Sequence, residues 1–65
     1  MRANETIRTI ANGYGIKIWQ IADALGIHEA TLIKRLRREL PQLEKSRIIA
    51  IIEHLQAERE QEAQL

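Results

Sequence analysis

Four of the five residues from Lys34 to Arg38 are cations: Lys34, Arg35, Arg37 and Arg38, with only Leu36 between them. Guanidinium and ammonium groups grip phosphate oxygens and hydrogen-bond the O6 and N7 edge of guanine. Just upstream stand His28, Glu29, Ala30 and Thr31. Small side chains here let a helix approach base edges closely. The Thr31 hydroxyl can hydrogen-bond a base or a phosphate, and Ala30 or the Thr31 methyl can touch a thymine methyl. At 100° per residue, Leu32, Ile33, Leu36 and Leu40 fall in one sector, with Glu29 near it at the helix start. Ala30, Thr31, Lys34, Arg37 and Arg38 fall opposite, and His28 and Arg35 lie on the edge. This is the pattern of a helix anchored by one face and laid by the other in the major groove of double-stranded DNA. In that reading Lys34 and Arg37 reach guanine or phosphate, while Arg35 and Arg38 grip phosphates and position the helix without reading sequence. A charged outer face is usually only a solvated one, but such faces mix signs. Here the middle is purely basic, and the acids stand aside at Glu29 and Glu39.

The elements that must hold this helix follow from the apolar period and the breakers. Sixty-five residues make a single domain, and a chain this short buries only about 60% of the surface its unfolded form exposes. It has no cysteine, so no disulfide or thiolate metal site staples it. Its apolar residues are mainly Ile, Leu and Ala, and strong helix formers abound, so the fold class is all-α. Asn4 is placed to cap a first helix with Ile7, Ile10 and Ala11 inward, and Asn12-Gly13 to stop it. A second helix is expected from Lys17 or Ile18 to Ala24, with Ile18, Ile21, Ala22 and Leu25 inward, followed by a turn at Gly26. The third runs from His28 or Glu29 to about Leu40. Pro41 cannot continue it but suits the start of a fourth helix, from about Gln42 to Glu60, with Ile48, Ile51, Ile52 and Leu55 as its stripe. Residues 1–60 form the domain, and 61–65 are expected as a polar, frayed tail. No internal repeat or linker is found.

The net charge of +1 hides a division. Residues 28–40 carry +2 and residues 41–65 carry −2, so the basic patch is local. No run of 18 apolar residues and no apolar signal core are present, and the cytoplasm is the expected compartment. Trp19 is expected to be half-buried packing beside the basic helix, and Tyr14 to pack across the first loop or donate to a phosphate. His28 is placed to cap the third helix or touch a base, and His54 to be solvated. The histidines have no metal spacing, Ser46 has no histidine-based constellation, and no phosphate-cradling loop is visible. Neither an enzyme nor a cofactor is expected. Ile49 lies about 100° from the centre of the fourth-helix stripe. It reads as core, or as a flank that makes the fourth helix a homodimer contact.

Ala22, Gly26 and Leu32, with Ile21, Leu25 and Ile27, resemble the helix-turn-helix of lambda-repressor-like, Cro/CI-type DNA-binding domains. A small residue in the first helix of that motif lets the second pass close over it, a glycine takes the turn, and an aliphatic residue six positions on plugs the pair. The likeness is firm over residues 16–38 and loose over 1–60. It implies a compact four-helix domain whose recognition helix is His28–Arg38, with His28, Glu29, Ala30, Thr31 and Lys34 facing bases. Lys17 and Ile18 would meet the DNA backbone. Lys17-Ile18 departs from the hydroxyl cap and Gln usual there, Arg35 stands where the family places an apolar residue, and a single fourth helix replaces two. The resemblance implies sequence-specific binding and transcription regulation in a bacterium, phage or mobile element. A two-fold dimer would set its recognition helices about 34 Å apart. Two other readings stand beside it: a protein-interaction module docking its basic helix on an acidic partner, and an architectural or recombination accessory factor on DNA.

Overall fold

A computed structural model describes the backbone of residues 3–64 and the side chains of residues 3–61. Four helices follow in order: α1 (Glu5–Tyr14), α2 (Ile18–Leu25), α3 (Glu29–Leu36) and α4 (Gln42–Gln64), with no strand among the described residues. α4 packs against α1 and α2, and α2 against α3. The core between them is built from Ile7, Ala11, Ile16, Ile21, Ala22, Leu32, Leu36, Ile48 and Ile52. The inward positions read from the period on α1, α2 and α4 are the ones buried or half-buried. No helix among the described residues is long and apolar enough to cross a membrane.

α1 and α2 end in the same way. Gly15 and Gly26 both take left-handed backbone, at φ 70° and 74°. After α1, the Gly15 N–H donates to Asn12 O at 3.1 Å and the Ile16 N–H to Ala11 O at 2.8 Å; after α2, Gly26 donates to Asp23 O at 3.1 Å and Ile27 to Ala22 O at 3.0 Å. This paired closure satisfies two of the last carbonyls, and its left-handed position favours glycine. Ile-Ala-x-x-x-Gly-Ile thus occurs twice, at residues 10–16 and 21–27, a short correspondence missed in the sequence reading. α1 therefore runs through Asn12-Gly13 and stops at Gly15, not at residues 12–13.

α3 is shorter than its period suggested. It ends at Leu36, and the next two N–H groups turn back by three residues, Arg37 to Lys34 O and Arg38 to Arg35 O, both at 3.3 Å. The cause is Asn4, which is only 2% exposed. Its Nδ2 donates to Leu36 O at 3.0 Å and to Arg38 O at 2.8 Å, while its Oδ1 accepts the Leu40 N–H at 2.9 Å. Leu36 O and Leu40 N–H would bond each other in a continuing helix, and the Asn4 carboxamide stands between them. Pro41 assists, because it disfavours helical backbone at Leu40. Asn4 itself sits at φ 58° and makes no side-chain cap to α1, so the expected capping role gives way to a tertiary one.

The shortened α3 changes one side chain's place. Ile33 was expected inside because Leu40 lay beside it on an extended helix. With Leu40 off the helix, the inner arc narrows to Leu32 and Leu36, and Ile33 is 41% exposed. Ile49 packs half-buried against the core. At the far end α4 continues to Gln64, four residues past the expected Glu60; Leu65 lies outside the described residues. Arg59, near the end of the expected helix, donates from Nη1 to Tyr14 O at 2.9 Å and Gly15 O at 3.3 Å. A cation at the end of α1 also suits its helix dipole.

Candidate nucleic-acid interface

The site is assembled from the α2–α3 pair upward. Ala22 and Leu32 are each 1% exposed, so the small residue on α2 and the plug on α3 both sit in the core. A larger side chain at Ala22 would drive the two helices apart. Gly26 then turns the chain at once into α3. His28 precedes α3 in extended backbone, and its side chain makes no cap to it. Lys17 stands in the same place before α2. Lysine has no acceptor to offer the first turn, but Gln20 supplies the reverse bond: its Oε1 accepts the Lys17 N–H at 2.8 Å. Half a capping arrangement is therefore present where the sequence seemed to have lost it.

All nine candidate residues, Lys17, His28, Glu29, Ala30, Thr31, Lys34, Arg35, Arg37 and Arg38, are exposed. They do not form one helical face. Ala30 and Lys34 lie opposite the Leu32–Leu36 arc, with Thr31 and the exposed Ile33 on their two flanks. Arg35 lies at the other margin, beside Glu44 and Arg47 along a shallow depression between α3 and the start of α4. Arg37 and Arg38 lie beyond the helix, in the turn held by Asn4, so their helical projection onto the outer face does not apply. Among the described residues none of Lys17, Lys34, Arg35, Arg37 or Arg38 is in an ion pair; the lysine or arginine pair found there is Glu39–Lys45.

Glu39 is drawn away from its cationic neighbours. Its Oε1 accepts the Asn4 N–H at 2.9 Å and its other oxygen pairs with Lys45. The Asn4 N–H first, and Lys45 second, hold its carboxyl below the usual carboxylate range. Arg8 completes the clamp, donating from Nε to Ala3 O at 3.2 Å and from Nη2 toward Leu36 O at 3.5 Å. No buried side-chain polar atom among the described residues lacks a partner. The turn carrying Arg37 and Arg38 is therefore fixed from the opposite end of the chain.

Asn4, Glu39, Lys45 and Ile33 were missed as parts of this site. The three clamp residues had no local signal, because their partners lie in a different segment of the chain. Ile33 had one, its place at the margin of the apolar arc. Trp19 was expected half-buried and is 56% exposed. His54 is exposed and lies 2.9 Å from Glu58, one turn on. Comparison of the chain with family models, with curated proteins and with solved structures gave no match.

Proposed function

We propose that this chain is a small, non-enzymatic, sequence-specific DNA-binding protein that lays α3 in the major groove as a helix-turn-helix of the lambda-repressor-like kind. The observation that carries the reading is the exposed margin of α3 with the turn that follows it: small residues at the helix start, Lys34 at its centre, and four cations within five residues that form no ion pair among the described residues. Cations held open beside small, approachable positions suit a polyanion read along its base edges. Ala30, Thr31 and Lys34 form the reading face, and Ile33 joins it as an apolar contact for a thymine methyl. Arg35, Arg37, Arg38 and Lys17 grip phosphates, and His28 and Glu29 border the bases at the helix start. The role that follows from the resemblance is transcription regulation in a bacterium, phage or mobile element.

The test is selection from a random-sequence duplex pool at two salt concentrations, with sequencing of the retained fraction. An enriched motif with steep salt dependence is the expected result. Tight binding without enrichment would replace sequence reading by an architectural role, and no binding at low salt would overturn the assignment in favour of a protein partner for the basic helix.

A further inference from the structure

The outer face of α4 is unusual for a solvated surface. Leu43, Arg47, Ala50, His54 and Ala57 recur at intervals of four, three, four and three residues, which puts them on one stripe opposite the Ile48–Ile52 core stripe. All five are exposed, and Leu43 is 84% exposed. The stripe does not stand alone. Ala24 and Leu25 of α2 border a shallow depression with Arg47, Ala50, Ile51 and His54, and this widens the face beyond a single helix. We infer that this face is covered by the same face of a second copy of the chain, with the two α4 helices antiparallel and the two-fold axis passing at Ala50.

Size and charge both select that occupant and that direction. Centred on Ala50, the stripe is self-complementary: Leu43 lies seven residues before it and Ala57 seven after. An antiparallel partner therefore sets each bulky Leu43 on a small Ala57, while Ala50 lets the helices approach at the crossing. Arg47 stands in the first half of the helix and forms no ion pair among the described residues. Glu53, Glu58 and Glu60 stand exposed in the second half. Antiparallel pairing brings each Arg47 toward the acidic half of the partner, where Glu58 lies on the same flank of the stripe; parallel pairing would set the two Arg47 side chains at one level and the two acidic halves side by side. Such a two-fold contact uses one patch twice, as an isologous interface must. The surface is distinct from Ile49, which packs half-buried against the core.

The inference does not rest on DNA binding, so it is tested without nucleic acid. Sedimentation equilibrium of the full chain over a range of concentrations should show a monomer–dimer equilibrium. Leu43→Glu, checked for unchanged helical content by circular dichroism, should weaken it at least ten-fold. The chain has no cysteine, so single cysteines report geometry directly. Ala50→Cys should cross-link to itself on mild oxidation, and Leu43→Cys should cross-link when mixed with Ala57→Cys. Leu43→Cys alone should do so far more slowly, since its two copies would lie roughly 20 Å apart along the helices. A monomer at every concentration would overturn the dimer, and self-cross-linking of Leu43→Cys as fast as that of Ala50→Cys would overturn the antiparallel arrangement.

Discussion

Asn4 shows what one side chain does in a domain of this size. It interrupts the Leu36–Leu40 helical bond, anchors Arg38 O, and directs its own N–H to Glu39. Removing the carboxamide in Asn4→Ala deletes three hydrogen bonds worth about 1 kcal/mol each. A core this small supplies only about 3–5 kcal/mol in all, so urea or thermal denaturation should find Asn4→Ala close to unfolded. Asn4→Gly loses the same bonds but relieves the left-handed φ, and should be less damaging than alanine by roughly 1 kcal/mol; equal losses would mean that the backbone at residue 4 stores no strain. Glu39 gives a second check, through pH. Its carboxyl titrates lower in the folded chain than in the unfolded one. Its contribution is therefore complete above the ordinary glutamate value of about 4.3 and is lost as pH falls through the folded value. The difference in melting temperature between wild type and Glu39→Gln should be constant near neutrality and shrink on acidification below about pH 4. A difference that grows there would reverse the assignment.

The helices separate what was written locally from what was not. All four helices could be placed from apolar period and breakers. The errors lie at ends: α1 runs on to its closure at Gly15, α3 stops where Asn4 stands, and α4 continues to Gln64. The three glycines now divide by mechanism. Gly15 and Gly26 have positive φ. Gly13 lies inside α1 at ordinary helical backbone, with open space where a Cβ would stand. Gly13→Ala should therefore stabilise the protein by up to about 1 kcal/mol, whereas Gly26→Ala should destabilise it by about 1–2 kcal/mol, although space is open there too. Chemical denaturation of the two variants side by side decides this, and stabilisation by Gly26→Ala would show that the α2–α3 turn does not need its left-handed residue. Of the reading face proposed above, Ala30, Thr31 and Lys34 could be named from the sequence, and they are exposed on α3. Ile33 could not be named, because its burial depended on where α3 ended.

Over the whole molecule, charge and symmetry meet in one measurable quantity. Lys34, Arg35, Arg37 and Arg38 concentrate positive charge around the end of α3, while the later part of α4 is acidic, so the DNA binding proposed above is ionic at the α3 end. Each phosphate neutralised on duplex DNA contributes about −0.9 to the slope of log affinity against log salt. In a monomeric complex, Arg38→Ala should flatten that slope by about one and weaken all sequences alike. In a two-fold complex each variant chain loses its own contact, so the slope should flatten by about two. Thr31→Ala and Lys34→Ala should instead change the preferred bases, because they lie on the face proposed to read them. Leu43→Glu joins the two proposals. If the pair of α4 helices holds two reading heads together, this substitution far from the cations should cut the slope to about half and leave a preference for a single half-site. An unchanged slope with Leu43→Glu, alongside a change of one with Arg38→Ala, would mean that a single chain binds DNA and that the outer face of α4 plays no part in it.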